Sequence, residues 1–451
     1  MGYWTEGQDK RVGVVGLERS GRAAVRLLAG KGFSVVGMDS KESVPGCEAC
    51  DVVLRGPHDP AVLDGLDGLV ISPGVDPRSA FVTAARELGI PVIGELELGF
   101  LSSDATFVAV TGSNGKTTTV TWLAHLLKRA GVNAVLAGNV GVALCDAILD
   151  QPDAELIVVE VSSYQLQTIE RFRPRAGAVL NVSPDHLARH GSMDHYTRAK
   201  ARLFENQHSE DVIFLNGDDP GSKPLFGLTK GSERHFSVDG TVRAGVDCGG
   251  GGPAGDIAIV EDDGSRTRVL GCRDVSLPGL HNLSNALAVT GLAHSAGLGP
   301  EAIAAGLSSF AGVPHRIERV RVLDGVTWIN DSKATNQESL RVALESQKSP
   351  VILIAGGLSK GSDYSELAGL ISSRVKRLIL LGAAAGELEE AWRGSAPIER
   401  ASSMEEAVLL ARRASGSGDV VMLSPACASF DMYRDFEERG EHFRALVEAL
   451  R

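Results

Sequence analysis

Short runs of Val, Ile, Leu and Ala recur along the chain, and many of them are followed by a glycine-bearing turn and then by a stretch with helical spacing. Continuous apolar runs are typical of strands buried on both faces of a parallel sheet, so the pattern predicts an alternating α/β fold. The predicted strands cover residues 11–16, 34–39, 69–74, 107–110, 156–160, 178–181, 212–215, 326–329, 351–355, 377–381 and 419–423. Helices are expected over 22–31, 282–308, 363–371, 386–393 and 404–414.

The alternation is interrupted at two places, which we take as domain boundaries. It stops around residues 98–106 (LGFLSSDAT) before a new strand begins, and Pro314 interrupts it again after a helical stretch. We therefore predict an α/β protein with a Rossmann-like N-terminal domain (1–103), a central domain with a mostly parallel sheet (104–312) and a Rossmann-like C-terminal domain (313–451). Open sheets bind ligands at the carboxyl ends of their strands, so we expect substrates to lie between domains.

Charge and composition narrow the functional classes. Of 451 residues, 45 are Lys or Arg and 57 are Asp or Glu, and the resulting net charge of −12 is a poor match for nucleic acid. No apolar run approaches the ~18 residues of a membrane helix, and no basic segment followed by an apolar run opens the sequence, so we expect a cytoplasmic protein without membrane insertion. Cys47 and Cys50 form a CxxC, but without a second pair or a neighbouring His we interpret them as ordinary apolar residues.

A glycine-rich segment between a predicted strand and a predicted helix is the strongest local signal. Its GxxGK[ST] pattern predicts a phosphate-binding loop, in which backbone N–H groups and Lys116 contact phosphates and the Thr117 hydroxyl binds Mg²⁺. Val110 stands where the longer Walker pattern has another glycine, and the alternative is a structural turn with an exposed lysine. The loop comprises Gly112, Ser113, Asn114, Gly115, Lys116, Thr117 and Thr118.

Candidate metal ligands follow two other strands of the central block. Glu160 closes the strand LIVVE, while Asp185 and His186 follow the strand AVLN. In a doubly wound sheet these positions share one edge with the phosphate loop. Taken alone, Glu160 and His186 are more often structural residues than metal ligands, and His is an unusual ligand for Mg²⁺, which favours oxygen donors.

The first block invites a dinucleotide-binding interpretation, because a strand, a glycine turn, a helix and a second strand ending at Asp39 follow one another. The interpretation fails at Glu18, which occupies the position of the glycine that lets the backbone approach a pyrophosphate. We therefore do not expect NAD(P).

Taken together, these segments resemble the Mur ligase family, the ATP-dependent amide-forming enzymes of peptidoglycan precursor synthesis. The resemblance spans essentially the whole chain, and its last two segments are most similar to the branch that adds D-glutamate. It rests on TGSNGKTTT (111–119), GNVG (138–141), EVSSYQLQ (160–167), NVSPDHL (181–187), LPGLHNLSNALA (277–288), PHRIE (314–318), NDSKATN (330–336) and LSPACASFDMYRDFEERG (423–440).

The resemblance implies ATP, two Mg²⁺ ions and a set of site residues in the last two domains. Lys116 and Thr117 correspond to the phosphate lysine and the metal-binding hydroxyl, and Glu160 and His186 to the metal site. Lys200, which by itself reads as a solvated helix lysine, corresponds to a lysine modified by CO₂ to a carbamate. The other implied residues are Asn139 in the active site; Asn282, Asn285, Arg316 and Asp331 around the nucleotide; and Lys333, Thr335, Lys360, Ser429, Phe430 and Phe436 for D-glutamate.

The resemblance also implies that the first domain binds the UDP end of a substrate. By spacing alone, Phe430 and Phe436 would instead be packing residues. We expect a monomer whose partners are small molecules. The implied UDP-binding positions are Arg19, Ser20, Asp39, Ser40, Lys41, Ser72, Pro73 and Gly74.

The implied reaction activates a carboxylate as an acyl phosphate, which an amine then attacks. In the D-glutamate branch the carboxylate belongs to UDP-N-acetylmuramoyl-L-alanine, and we expect a hinge closure that brings Arg316 and Lys333 onto the phosphates. The alternatives are a related or folate-directed ligase with another amino acid, and a phosphate-loop ATPase or kinase that needs no amine.

Overall fold

The computed structural model describes residues 4, 9–42, 44, 47–359, 361 and 363–451. The chain divides into two compact units, Met1–Ala311 and Gly312–Arg451. In the described part of the chain the strands form three sheets, two in the first unit and one in the second. The predicted α/β class with mostly parallel sheets is confirmed, whereas the functional division of the first unit near residue 103 stays a prediction.

The N-terminal sheet is parallel and has the strand order β3-β2-β1-β4-β5. Strands β2 and β3 lie on one side of β1, and β4 and β5 lie on the other, so the strand order switches direction beside β1. Such a switch point opens a crevice at the carboxyl ends of the strands. Buried aliphatic side chains cover both faces. The elements are β1 (Arg11–Val15), α1 (Arg19–Gly30), β2 (Ser34–Asp39), β3 (Val52–Arg55), β4 (Gly68–Ile71), α2 (Ala80–Glu87), β5 (Val92–Gly94) and α3 (Glu95–Phe100).

The central sheet has the order β14-β13-β12-β11-β10-β9-β6-β8-β7, with parallel pairing from β7 to β12 and antiparallel pairing beyond. The stretch 282–308, predicted as one helix, is two helices, because Gly297 adopts φ 88° and Pro300 starts a new helix. The strands are β6 (Thr106–Thr111), β7 (Ala134–Gly138), β8 (Leu156–Glu160), β9 (Ala176–Val179), β10 (Val212–Asn216), β11 (Ser232–Ser237), β12 (Gly245–Asp247), β13 (Asp256–Val260) and β14 (Arg266–Gly271). The helices are α4 (Lys116–Arg129), α5 (Leu144–Asp150), α6 (Ser163–Leu166), α7 (Leu187–His190), α8 (Met193–Ala201), α9 (Leu280–Ser295) and α10 (Pro300–Ser309).

The second unit has the strand order β15-β16-β20-β17-β18-β19, antiparallel only between β15 and β16 among the described strands. The helix predicted over 363–371 is a 3₁₀ turn, Tyr364–Leu367, followed by a helix that continues to Arg374. The elements are β15 (Glu318–Leu323), β16 (Val326–Asn330), α11 (Gln337–Glu345), β17 (Val351–Gly356), α12 (Ala368–Arg374), β18 (Val375–Leu381), α13 (Ala385–Ala391), β19 (Ile398–Arg400), α14 (Met404–Ala414), β20 (Val420–Leu423) and α15 (Phe436–Ala449). Among the helices of the described residues, none combines the length and the apolar character that crossing a bilayer requires.

Helix α5 of the central block packs on helix α1 of the N-terminal block, and Glu95 is buried at this junction. Ala143 and Cys145 share an apolar core with Val25 and Leu28, which explains why residues 1–311 form one unit. The Oε1 of Glu95 accepts a hydrogen bond from the Cys145 N–H (2.8 Å), whereas its Oε2 has no partner among the described residues. Burial raises the pKa of Glu95 to about 7, because the charged form loses hydration that this one hydrogen bond only partly replaces.

We expect Glu95→Gln to become progressively more stable than the wild type as the pH rises from about 4.5 to 7. Over this window the unfolded carboxyl ionises while the folded one holds its proton, so the wild type loses up to about 3 kcal/mol of stability. Thermal midpoints at pH 5 and 7.5 measure the difference, with exposed Glu87→Gln as the control. A difference between wild type and Glu95→Gln that does not change with pH would show that Glu95 is ionised when folded.

Candidate active site

The predicted phosphate loop and the predicted metal ligands meet at the carboxyl edge of the central sheet. Strand β6, which runs into the loop, lies between β8 and β9. Glu160 is the last residue of β8, and the segment with His186 follows β9. The sheet order therefore places these groups side by side, as the strand-end positions predict.

The loop folds around a left-handed glycine and directs a lysine inward. Gly115 has φ 85°, and a Cβ there would lie 2.5 Å from Oδ1 of Asn285, so both the backbone and the space require glycine. The Lys116 Nζ donates hydrogen bonds to the carbonyl oxygens of Gly112 (2.8 Å) and Ser113 (2.9 Å). Because α4 begins at Lys116, its first N–H groups and the lysine charge are in place for an anion.

Glu160 presents one carboxylate oxygen that the described part of the protein leaves without a hydrogen bond. The residue is 1% exposed, and its Oε1 accepts a hydrogen bond from Nδ2 of Asn139 (3.1 Å). The buried Oε2 has no hydrogen-bonding partner among the described residues. An orphaned carboxylate oxygen beside a phosphate loop fits a hard divalent cation, which would compensate the cost of burying the charge.

The other predicted metal ligands supply few additional carboxylate or imidazole donors. Thr117 is buried in the first turn of α4. His186 has φ 53°, and its Nε2 lies 3.4 Å from Oδ2 of Asp185. Nowhere in the described residues do three or more His, Cys, Asp or Glu side chains converge as a metal site. A cation here would therefore draw its remaining ligands from the Thr117 hydroxyl, phosphate, water or a modified Lys200.

Lys200 is buried, contrary to its interpretation as a solvated helix lysine. The residue is 1% exposed on α8, and its Nζ lies 4.3 Å from the centroid of the Tyr196 ring. Burial lowers the pKa of Lys200 well below its ordinary value, and the positive charge of Lys116 lowers the pKa further. The neutral amine that results is the form able to react with CO₂.

The predicted asparagine pair lies against the phosphate loop at the start of α9. Asn285 is buried, and its Nδ2 donates to Oδ1 of Asn282 at 3.5 Å. The Nδ2 of Asn282 donates in turn to the carbonyl oxygen of Pro278 (2.8 Å). The structure thus places Asn285 against the phosphate loop, although it lies 170 positions after Gly115 in the sequence.

The predicted UDP-binding residues also converge, at the carboxyl ends of β1, β2 and β4. The Ser72 hydroxyl donates to the carbonyl oxygen of Gly16 (2.6 Å), and Lys41 forms an ion pair with Glu18. Asp39 accepts backbone N–H bonds from Leu17 (2.7 Å) and Lys41 (2.9 Å), one on each carboxylate oxygen. Asp39 therefore holds two loops together in this structure. The remaining positions of the group are Arg19, Ser20, Ser40, Pro73 and Gly74.

In the second unit, Asp331 is buried at the end of β16. Its Oδ1 accepts the Ile317 N–H (3.1 Å) and its Oδ2 accepts the Ser424 hydroxyl (2.7 Å). Burial raises the pKa of Asp331 to about 7, and the nearby charge of Arg316 opposes this rise. Both carboxylate oxygens thus have protein partners.

The predicted D-glutamate residues surround the loops after β16 and β20. The Lys333 Nζ lies 5.5 Å from the centroid of the Phe436 ring, while Thr335 is two residues further along the same loop. Ser429 is buried. Phe430 is 68% exposed, so its interpretation as a packing residue is wrong. Lys360 lies outside the described residues.

Sequence comparison supplies the family. Residues 10–94 match the model of the Mur ligase MurD-like N-terminal domain, residues 110–293 the Mur ligase middle domain, and residues 315–427 the Mur ligase glutamate ligase domain. The chain is 43% identical to UDP-N-acetylmuramoylalanine--D-glutamate ligase of Pelotomaculum thermopropionicum and 40% identical to that of Myxococcus xanthus, with 98% of each chain covered in both cases. The chain belongs to the Mur ligase family. It is accordingly a ligase of peptidoglycan synthesis that uses ATP, generally with Mg²⁺.

Solved Mur ligases share the fold at low sequence identity. MurF ligase from Thermotoga maritima, solved with ADP, matches with a TM-score of 0.59 and 18% identity, covering 99% of this chain and 98% of that one. UDP-N-acetylmuramate-alanine ligase MurC from the same organism matches with a TM-score of 0.59 and 16% identity, covering 97% and 99%. These likenesses support the three-domain Mur ligase architecture.

Sequence reasoning missed two residues that hold the phosphate loop of this Mur ligase. Asn181 exchanges hydrogen bonds with the backbone of Asn114 through its Oδ1 (2.8 Å) and Nδ2 (3.1 Å). The Tyr196 hydroxyl lies 3.0 Å from Oγ of Ser113, while its ring faces Lys200. Asn181 lies in the NVSPDHL segment and Tyr196 four residues before Lys200, which is one helical turn, so their proximity to recognised residues was the available signal.

A third missed residue lies in the second unit of the Mur ligase. Arg439 is 3% exposed, and its guanidinium donates to the Ser332 hydroxyl (2.9 Å) and to the carbonyl oxygens of Ser332 (2.8 Å) and Cys427 (3.2 Å). Burial lowers the pKa of Arg439 to about 10. It connects the loop before Lys333 to the loop before Ser429, a role that only the folded chain reveals.

Proposed function

We propose that this Mur ligase joins D-glutamate to UDP-N-acetylmuramoyl-L-alanine and forms ADP and phosphate. The observation that carries the proposal is the buried Oε2 of Glu160 beside the phosphate loop, which has no hydrogen-bonding partner among the described residues. This oxygen supports a cation site next to the position where the triphosphate of ATP would end. A ligase that activates a carboxylate by phosphoryl transfer needs a cation there. The similar proteins from Pelotomaculum thermopropionicum and Myxococcus xanthus are UDP-N-acetylmuramoylalanine--D-glutamate ligases, which supports D-glutamate as the amino acid that is added.

In the proposed reaction the terminal alanine carboxylate attacks the γ-phosphorus of ATP, and ADP leaves. The amine of D-glutamate then attacks the acyl phosphate, loses a proton and expels phosphate to form the amide. Lys116 and the loop N–H groups neutralise charge on the transferring group, while Glu160, His186 and Thr117 would hold Mg²⁺. Bound Mg²⁺ supplies charge neutralisation and orientation of the phosphates.

Lys200 has a specific role in this proposal. Its neutral, buried amine would attack CO₂ and release a proton to form a carbamate, which replaces a neutral group by an anion on α8. The carbamate would provide oxygen ligands for a second Mg²⁺, consistent with the preference of that ion for oxygen donors. The carbamate anion would also be attracted to Lys116, whose positive charge is one of the causes that lower the Lys200 pKa.

The proposal assigns the two ends of the substrates to different parts of the chain. The loops after β1, β2 and β4 bind the UDP moiety, and residues of the second unit bind the two carboxylates of D-glutamate. Lys333, Thr335 and Ser429 offer a cation and hydroxyl groups for this dianion. Because the reaction consumes ATP and a UDP-linked precursor, we infer that it takes place in the cytoplasm.

Phosphate release tests the function. The protein is incubated with Mg·ATP and UDP-N-acetylmuramoyl-L-alanine, and D-glutamate, L-glutamate, L-alanine, L-lysine or meso-diaminopimelate is added separately. Release with D-glutamate alone supports the proposal, release with another amine favours a ligase of different specificity, and release without amine favours an ATPase. An ¹⁸O-labelled alanine carboxylate should transfer label to phosphate, and unlabelled phosphate would exclude the acyl phosphate.

A further inference from the structure

The side chain of Arg19 crosses from the N-terminal block to a loop of the central block. Arg19 is the first residue of α1, and its guanidinium donates to the carbonyl oxygens of Gly141 (2.9 Å, from Nη1), Asn139 (2.7 Å) and Gly138 (3.3 Å, both from Nη2). One cation thus bonds three carbonyl groups of GNVG (138–141). Charge-assisted hydrogen bonds of this kind are stronger than neutral ones and have a fixed geometry.

The loop that Arg19 contacts is joined directly to Glu160. The Asn139 N–H donates to the Glu160 carbonyl oxygen (2.8 Å), and Nδ2 of Asn139 donates to Oε1 of Glu160 (3.1 Å). Gly138 has φ 109°, and a Cβ there would lie 2.4 Å from the Glu160 carbonyl oxygen. The loop therefore packs tightly on the end of β8. Because Asn139 binds Oε1 of Glu160, Oε2 is the carboxylate oxygen that has no partner among the described residues.

We propose that Arg19 is a positioning residue of the ligation reaction, which holds the 138–141 loop so that Asn139 orients Glu160. This inference rests on the proposed function and replaces the expectation that Arg19 contacts the UDP moiety. The loop contains Gly138 and Gly141, both with positive φ, so a restraint in addition to its contacts with the end of β8 is needed to limit the freedom of its backbone. Arg19 supplies that restraint from the block expected to bind UDP.

The same helix offers a matched control. Arg26 lies two turns further along α1 and forms ion pairs with Asp146 (2.6 Å) and Asp150 (3.4 Å) on α5. It therefore joins the same two blocks through a charged arginine but leaves the 138–141 loop untouched. If Arg19 only helped to hold the two blocks together, Arg26 would make the same kind of contribution. Positioning of the 138–141 loop, by contrast, would depend on Arg19 and not on Arg26.

Steady-state kinetics separate positioning from substrate contact. For Arg19→Met we expect kcat to fall about 10–100-fold, the range typical when a group supporting a metal ligand is removed. KM for UDP-N-acetylmuramoyl-L-alanine should change less than about threefold, the Mg²⁺ concentration for half-maximal activity should rise, and Arg19→Lys should recover part of the loss. Arg26→Met should retain wild-type kinetics. A raised KM with unchanged kcat in Arg19→Met, or equal losses in both variants, would overturn the inference.

Two further measurements complete the test. If Arg19 acts through Asn139, the double variant Arg19→Met/Asn139→Ala should be no slower than Asn139→Ala alone, and multiplicative losses would contradict the inference. Hydrogen exchange of the peptide covering 134–144 needs no substrate. It should accelerate in Arg19→Met and not in Arg26→Met, and unchanged exchange would overturn the inference even for a protein inactive with the proposed substrates. Failure of the proposed function would appear separately, as wild-type protein without D-glutamate-dependent turnover.

Discussion

Lys116→Ala is expected to lower kcat by at least about 1000-fold, since Lys116 is the lysine of the phosphate loop and its charge would stabilise the transferring phosphoryl group. Its Nζ is held by the carbonyl oxygens of Gly112 and Ser113, which fixes the charge before the nucleotide arrives. Preorganised charge of this kind acts on the transferring phosphoryl group without reorganisation cost. Turnover with D-glutamate and the affinity for Mg·ATP, measured together, check the expectation.

Lys128→Ala is the matched control for this prediction. Lys128 is exposed in the last turn of the same helix, so its loss tests the effect of removing a positive charge from α4 alone. The control should behave as wild type in both assays. If Lys116→Ala kept more than a tenth of the wild-type kcat, the loop would not be the site of phosphoryl transfer.

Lys200→Ala is expected to lower kcat by about 100-fold or more, and short carboxylic acids such as formate or acetate should restore part of the activity. The substitution would remove the proposed carbamate ligand, and a small carboxylate could enter the space left beside the Tyr196 ring. Because the neutral amine reacts with CO₂, removing CO₂ and bicarbonate from the buffer should slow the wild type, whereas added bicarbonate should restore it. Rates with and without these additions measure both effects.

Arg198→Ala tests whether any cation on α8 has this effect. Arg198 lies two residues from Lys200 on the exposed side of the helix and pairs with Asp194 (2.9 Å), so its removal should leave the rate and its dependence on CO₂ unchanged. A Lys200→Ala variant that stays inactive with every carboxylic acid, combined with a wild type indifferent to CO₂, would remove the carbamate from the mechanism.

The phosphate loop and the convergence of strand-end residues could be predicted because they depend on local order. A strand, a GxxGK[ST] turn and a helix follow one another without interruption, so their geometry is set by adjacent residues. The carboxyl ends of parallel strands share one edge, so Glu160 and His186 were expected near the loop without any knowledge of distances. Element limits were less exact where a glycine or a proline divides a helical pattern, as at Gly297 and Pro300.

Lys200 and Phe430 show where pattern reasoning fails. A lysine on a polar helix reads as solvated and a phenylalanine as packed, yet Lys200 is buried and Phe430 is 68% exposed. Burial depends on which elements cover a position, and those elements come from distant parts of the chain. The hydrophobicity of neighbouring residues carries no information about which distant elements cover a position.

By itself, the amino-acid sequence determined the α/β class, the phosphate loop and the family resemblance, because each depends on residue types at short, fixed spacings. Only the tertiary structure decided how those parts are held: Asn139 on Glu160, Arg19 on the 138–141 loop, and Arg439 between two loops of the second unit. These contacts join residues about 20 to 120 positions apart in the chain, and a hydrogen bond requires a distance near 3 Å and a suitable angle. Such geometry exists only after the sheets have formed and packed.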